Sequence, residues 1–179
     1  VSHAGESMIQ NSNIIKKIYF PRLIIPGSAI LVAFFDFIMG LLIFVVLCII
    51  YKQSISWQAV LYFPAGIIIV LLAAFGIGTF LAALNVKFRD FRYTIPFLLQ
   101  VLFFASQIIY PLFSIQQQWL KYLLAINPMN AAIELFRSPL SGTTPDITVI
   151  SIGLLSTFLF FAIGIYYFRK TESYFADLS

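Results

Sequence analysis

The sequence contains few charged residues, one cysteine and one histidine. Charged side chains make up 10% of its 179 residues, whereas hydrophobic types make up 61% and aromatic types 17%. Soluble domains carry about 25% charged residues, so this composition excludes a soluble fold and predicts a chain that lies in a bilayer. Cys48 alone cannot form an intrachain disulfide, and with His3 as the one histidine no Cys/His metal cluster can be built.

Motifs for enzymatic chemistry are also missing. There is no GxxxxGK(S/T) loop to cradle phosphates and no GxSxG of hydrolases, and His3 lies in a polar leader away from any acidic partner. The net charge of +4 does not indicate nucleic acid, because the eleven Lys and Arg are scattered between apolar runs. We therefore expect a chain that neither hydrolyses ATP by itself nor binds a metal or nucleic acid.

Four apolar stretches are long enough for membrane spans, which need about 20 residues each. They are residues 30–51, 61–84, 95–115 and 147–168. Eight Lys and Arg precede the first span, lie between the second and third, or follow the fourth, whereas Lys52, Lys121 and Arg137 lie on the opposite side. The positive-inside rule then predicts that both chain ends are cytoplasmic.

The segment before the first span, NIIKKIYFPRLIIP at residues 13–26, mixes apolar residues with three cations and two prolines. Proline breaks an interior helix, so we predict a short amphipathic helix that ends near Phe20, followed by a kinked path into the membrane. Two interpretations stay open. The segment is either a basic anchor that holds the first span in register or a docking element for a cytoplasmic partner.

Other charges in or beside the spans are few. Lys87, Arg89 and Asp90 lie between the second and third spans, as either a tight turn with positive-inside charges or a second contact with a cytoplasmic partner. Asp36 is the one charge inside a span, and burying a carboxylate in a bilayer is costly. Asp36 is therefore either a functional group facing a water path or one half of a structural ion pair.

Residues 116–146 contain two apolar stretches of about 10–12 residues, QQQWLKYLLAI and MNAAIELFRSPL. Each is too short to span, yet apolar enough to lie in the interface or dip into the membrane. The Asn127-Pro128 break between them predicts a helix–turn–helix hairpin that re-enters the membrane or lies on its outer face. The predicted fold class is thus all-α: a polytopic membrane protein with four spans, a cytoplasmic amphipathic helix and an external hairpin.

Small and aromatic residues complete the pattern. In the second span Ala74, Gly78 and Ala82 recur every fourth residue, which predicts a face that another helix approaches closely. The 20 Phe, 9 Tyr and 2 Trp would suit a path along which a carbohydrate slides, because rings pack against the apolar face of a sugar. Lipid contact and interfacial belts explain most single rings, Trp119 among them, equally well.

Taken in order, these motifs resemble the membrane subunit of ABC-2 type exporters, and more narrowly the permease of polysaccharide exporters for O-antigen, teichoic acid or capsule. The matching pieces are YFPR before a span, N-V-x-x-R-D at a cytoplasmic turn, and an external N-P followed by E-x-x-R. Such permeases usually have six spans. The resemblance therefore implies that residues 1–179 form one partial transmembrane domain, which does not include the first two spans. The opening residues of this chain, VSHAGESMIQ, would then form a loop that leads to the amphipathic helix.

The resemblance implies roles for four sets of residues. The cytoplasmic helix that docks in a groove of an ATPase would use Ile14, Lys16, Lys17, Tyr19, Phe20, Pro21 and Arg22, with a second contact at Lys87, Arg89 and Asp90. The entrance of a pathway between two permease copies would include Phe34, Asp36, Phe37 and Tyr110. An external gate would include Trp119, Asn127, Pro128, Glu134 and Arg137.

The implied function is export of a lipid-linked polysaccharide across the bacterial cytoplasmic (inner) membrane. A permease homodimer would be driven by two ATPase subunits, which would bind the ATP and magnesium that this chain does not. Three alternatives stay open: an ABC-2 permease for a drug or small lipid, a membrane-embedded glycan-processing enzyme, and an assembly scaffold. The enzyme would need paired acidic or His/Asp groups at the membrane surface, and the sequence offers just the isolated Glu134 and Arg137 pair.

Overall fold

The computed structural model describes residues 1–11, 20–88, 90–108, 115 and 117–172. Over this part of the chain it contains seven helices and no strand. They are α1 (Ser2–Gln10), α2 (Ile24–Ile50), α3 (Ala59–Lys87), α4 (Phe91–Phe104), α5 (Gln118–Ala125), α6 (Pro128–Ser141) and α7 (Ile147–Thr171). The predicted all-α class is confirmed.

Three helices are long and apolar enough to cross a membrane. Helices α2, α3 and α7 contain 27, 29 and 25 residues. At 1.5 Å per residue they measure about 38 to 44 Å, which exceeds the ~30 Å hydrocarbon core of a bilayer. They coincide with the predicted first, second and fourth spans, so the chain has the helices of a multi-pass membrane protein.

The predicted third span differs from the structure. Helix α4 ends at Phe104 after 14 residues, about 21 Å, and residues 105–108 form turns. The backbone N–H of Gln107 donates to the side chain of Asn130, 2.7 Å away, and not to a carbonyl of the preceding turn. The prediction of one continuous helix from residue 95 is therefore wrong at this point. Most of the remaining stretch, up to residue 115, lies outside the described residues.

The residues divide into two compact units. The first comprises the described residues of Val1–Ala33, Leu72–Val101 and Phe158–Ser179, and the second those of Phe34–Leu71 and Leu102–Thr157. Each has its own apolar core: Met8, Ala82 and Phe168 are buried together in the first, and Ile69 and Leu135 in the second. The first core joins α1, the start of α2 and the ends of α3 and α7, and the second joins α3 and α6.

The opening residues form a helix, and the expectation of a loop is wrong. One face of α1 is buried against α3, with Ala4 and Met8 almost fully covered. A Cβ at Gly78 would lie 2.9 Å from that of Ala4, and the side-chain amide of Asn85 donates to the carbonyl of Gly5 at 3.0 Å. The face of small residues on α3 thus admits a close helix, as predicted, and that helix is α1.

In the same unit, α3 and α7 cross with their backbones in contact. A Cβ placed on Gly164 would lie 2.1 Å from the carbonyl oxygen of Gly76, and one placed on Gly76 would lie 2.6 Å from the Cα of Phe161. Because lipid tails are as apolar as side chains, close van der Waals packing of this kind is a main source of attraction between membrane helices.

We predict that Gly164→Ala will lower the free energy of unfolding by about 1–3 kcal/mol, because the added methyl group overlaps the backbone of α3. The matched control is Gly40→Ala on α2, where an added Cβ has no neighbour within 4 Å. Heating each variant in detergent and following the monodisperse fraction gives the comparison. Equal midpoint temperatures for the two variants would contradict the close crossing.

Candidate functional site

Helices α5 and α6 form the hairpin that the Asn-Pro pair predicts. Asn127 caps α6 by accepting a hydrogen bond from the backbone N–H of Met129 at 3.1 Å, and Pro128 occupies the first turn, where no N–H is needed. The helix ends at Gly142, whose left-handed backbone (φ 67°) suits glycine. Of the residues predicted for an external gate, Asn127 and Pro128 therefore build the turn, while Trp119 is exposed on α5.

Gln107 and Asn130 exchange hydrogen bonds behind this turn. The Oδ1 of Asn130 accepts from the backbone N–H of Gln107 at 2.7 Å, and the Nε2 of Gln107 donates to the backbone carbonyl of Asn130 at 2.5 Å. Both side chains are completely buried. Polar groups buried in this way are stable because each finds a partner in the other.

The same amides join three helix ends. Asn130 Nδ2 donates to the carbonyls of Ala105 and Leu124, at 3.1 and 2.7 Å, and Asn127 Nδ2 donates to the hydroxyl of Ser106 at 2.9 Å. Carbonyls at helix ends have no partner within their own helix. We call Gln107, Asn127 and Asn130 the amide network, because these side chains supply those partners where α4 and α5 end.

Arg137 extends the amide network from one side. Its Nη2 donates to the carbonyl of Gln107 at 2.8 Å, while its Nη1 is buried without a hydrogen-bond partner among the described residues. No ion pair joins Arg137 to Glu134, although the structure describes both. Arg137 places a cation near the carbonyl end of α4, where it is favourable.

A second link ties α5 to the start of α7. Lys121 forms an ion pair with Asp146, whose Oδ1 also accepts from the backbone N–H of Thr148 at 2.9 Å. The hydrogen bond and charge of Lys121 lower the pKa of Asp146 against the opposing effect of burial, and N–H groups of α7 contribute to the lowering. The ion pair therefore stabilises the fold at any pH above the ordinary carboxyl pKa. This stabilisation is lost as the pH falls through the lowered pKa of Asp146.

The residues predicted for a pathway lie on α2, apart from Tyr110, which lies outside the described residues. Asp36 is exposed, and the described part of the chain provides no ion-pair partner for it. Phe34 and Phe37 are half-buried and stack on each other with ring centroids 6.4 Å apart. Phe37 also contacts the ring of Phe136 on α6, at 6.2 Å.

The residues predicted to couple to an ATPase are described only in part. Ile14, Lys16, Lys17, Tyr19 and Arg89 lie outside the described residues. Phe20 packs against the core of the first unit, next to the exposed Pro21, and Nη1 of Arg22 donates to the carbonyl of Glu172 at 2.5 Å, just beyond α7. Lys87 and Asp90 are exposed beside the end of α3. Arg22 is thus a structural link as well as a predicted contact.

Sequence reasoning missed Gln107, Asn130, Lys121 and Asp146. Asp146 carries a recognisable signal, because an acid immediately before an apolar run marks a helix N-cap. Asn130 lies one helical turn after Asn127 and faces the same way, which is a weaker signal. Gln107 interrupts an apolar run and offers no local indication that its partner lies 23 residues later.

Comparison with known proteins adds the family. The model of the ABC-2 type transporter family matches residues 4–140. The O-antigen export system permease protein RfbA of Myxococcus xanthus is 33% identical over 130 residues, which are 72% of this chain and 50% of the relative. Two proteins of the same name from Klebsiella pneumoniae are each 26% identical over 96% of this chain and 66% of their own length. The chain thus spans about half to two thirds of these relatives.

We predict that Asn130→Ala will destabilise the protein by about 2–4 kcal/mol, because it leaves several buried backbone groups without partners. The matched control is Gln53→Ala, since the exposed amide of Gln53 makes one hydrogen bond, of 3.1 Å, to the carbonyl of Leu140. The control is expected to change stability by less than about 1 kcal/mol. Thermal unfolding in detergent measures both, and a small, equal loss would show that the amide network is not needed.

Proposed function

Because the chain belongs to the ABC-2 type transporter family, we propose that it is the larger part of a permease that exports a lipid-linked polysaccharide. The observation that carries this proposal is similarity along 96% of the chain to O-antigen export permeases of Klebsiella pneumoniae. The relatives extend well beyond the chain, so the proposal concerns the complete permease in which it lies. In that role the chain is a transport subunit and performs no catalytic step.

The proposed topology has four crossings in the bacterial inner membrane, with eight cations on the cytoplasmic side. Helices α2, α3 and α7 supply three of them. The fourth is made by α4 together with the residues that follow it. The sequence supports this, because residues 95–115 contain no charged side chain and have the length of a span.

The α5–α6 hairpin is proposed to re-enter the membrane from outside and to act as the external gate, with Trp119, Asn127, Pro128, Glu134 and Arg137. Ala131 on α6 packs against Ile69, ten residues or about 15 Å into α3. Backbone that is not helical at such a depth has to be satisfied by protein, because lipid offers no partner. The amide network meets this requirement at the inner end of the hairpin.

Coupling to two ATPase subunits, which bind ATP and magnesium, is proposed at the opposite end. Lys16 and Lys17 would form the docking segment together with Phe20, Pro21 and Arg22, and Lys87, Arg89 and Asp90 a second contact. The hydrogen bond from Arg22 to the carbonyl of Glu172 supports this, because it joins the proposed docking segment to the residue just after α7. The sequence has no phosphate-binding loop, which is consistent with a partner that supplies the energy.

The pathway is proposed to begin beside Asp36, between two copies of the permease. An exposed carboxylate within a span is costly in contact with lipid, so Asp36 has to face water or another protein surface. Phe34 and Phe37 on the same helix would offer ring faces to sugars, and Tyr110 would belong to the same path. The broad exposed apolar surface of α2 is the kind of face that a second copy would cover.

One complementation experiment tests export and coupling together. Cells that lack the permease gene are expected to lose surface polysaccharide and to accumulate lipid-linked glycan inside, and the wild-type gene restores the surface. The double variant Lys16→Glu, Lys17→Glu is expected to reduce ATPase co-purification about tenfold and to leave the glycan inside, because it reverses the charge of the docking segment.

The matched control is Lys52→Glu, a charge reversal on the predicted external side, which should restore export. Normal surface polysaccharide in the deletion strain would contradict the proposed cargo. If ATPase activity were then stimulated by small hydrophobic compounds, the cargo would be a drug or a small lipid. Undiminished co-purification of the ATPase with the lysine double variant would contradict the docking segment and leave the cargo unaffected.

A further inference from the structure

The second unit contains an apolar cavity of about 330 Å³. Helix α2 contributes Phe37, Gly40 and Phe44, α3 contributes Phe63, and α6 contributes Phe136 and Leu140. Every side chain that lines the cavity is apolar, and Phe44 is 39% exposed, so the cavity opens to the surface of the chain. Its size falls within the range of ordinary ligand sites.

The cavity exists because the space beside Gly66 is occupied, whereas the space beside Gly40 is empty. A Cβ on Gly66 would lie 2.9 Å from the ring of Phe136, so this ring rests directly on the backbone of α3. A Cβ on Gly40 would have no neighbour within 4 Å. The ring of Phe136 is also held by Phe63 and Phe37, with centroids 5.7 and 6.2 Å away. The space beside Gly40 is therefore preformed between rings that support one another.

The walls and size suit a hydrocarbon chain. An apolar cavity of about 150 Å³ stays dry and takes up benzene, so a cavity of 330 Å³ has room for roughly a dozen carbon atoms. Two of the three helices that line the cavity, α2 and α3, have the length and composition of membrane spans. A lipid chain entering it would exchange one apolar environment for another while gaining contacts with aromatic walls.

Lys52 is next in sequence to Gln53, which contacts a residue that lines the cavity. Leu140, which lines the cavity, accepts a hydrogen bond from the Nε2 of Gln53 at 3.1 Å. The neighbouring Lys52 is exposed, and its left-handed backbone (φ 51°) ends the turn that follows α2. Phe44 lies six residues, about 9 Å, before the end of α2 at Ile50, and Lys52 follows in the turn. This spacing matches a phospholipid whose phosphate lies at Lys52 and whose chain reaches the cavity.

We propose that this cavity binds one acyl chain of an anionic phospholipid whose phosphate contacts Lys52. The bound chain fills the space beside Gly40, between α2 and α6. The site depends on the membrane setting of the chain and not on which molecule the permease exports. Of the residues proposed for the pathway, Phe37 also lines the cavity, whereas Phe34 and Asp36 do not.

The test uses the complete permease with its ATPase in nanodiscs that contain phosphatidylglycerol with a diazirine in the middle of one acyl chain. After illumination, mass spectrometry locates the lipid adducts. The expected adducts lie on the peptides that contain Phe44 and Phe136. Gly40→Trp fills the cavity and is expected to reduce the adducts on the Phe136 peptide about tenfold, whereas Leu42→Trp, at an exposed position of the same helix, leaves them unchanged.

Lys52→Asn tests the headgroup, because asparagine tolerates left-handed backbone and removes the charge. It is expected to lower the adduct yield with phosphatidylglycerol and not with phosphatidylcholine. An absence of adducts on the Phe136 peptide of the wild type would overturn the proposal, and so would equal yields in Gly40→Trp and Leu42→Trp. Displacement of the phospholipid by a prenyl phosphate would assign the cavity to a different lipid, and crosslinking of the cavity to another protein segment would exclude lipid.

Discussion

The exchange of hydrogen bonds between Gln107 and Asn130 is the interaction on which the second unit depends. A chain that leaves a helix inside an apolar environment exposes backbone groups, and each unsatisfied group costs several kcal/mol there. The side-chain amides of Asn127 and Asn130 remove that cost at the ends of α4 and α5. The hairpin can then bring α6 alongside α3, so that Phe136 meets Gly66. Both the proposed gate and the apolar cavity follow from this one arrangement.

The first unit is held together differently. The backbones of α3 and α7 touch at Gly76 and Gly164, and the methyl group of Ala4 on α1 packs against Gly78. Packing of this kind has no polar groups to satisfy, but it tolerates little added volume. The bond from Arg22 to Glu172 adds one polar link between the segment before α2 and the end of α7. Close packing of this kind at the proposed cytoplasmic end suits the transmission of motion from an ATPase.

The long helices were predictable because a run of about 20 apolar residues has few other solutions in a bilayer. The break in α4 was not predictable, because hydropathy registers Gln107 as one polar residue in an apolar stretch. It does not reveal that Asn130 is the hydrogen-bond partner of Gln107. Helix α1 was missed for a related reason. Its composition is polar on average, but Ala4 and Met8 share the face that packs on α3. Nothing in the sequence indicates that Arg137 donates to the carbonyl of Gln107, 30 residues earlier.

The central claim is that the permease moves a lipid-linked polysaccharide with energy from a separate ATPase. The most direct measurement places the complete permease and its ATPase in proteoliposomes loaded with lipid-linked glycan on the ATPase side. An impermeant glycan-cleaving enzyme on the opposite side then reports arrival of the glycan. We expect cleavage to begin when ATP is added and to require ATP hydrolysis. Cleavage that is equally fast without ATP, or none with it while the ATPase is active, would contradict the claim.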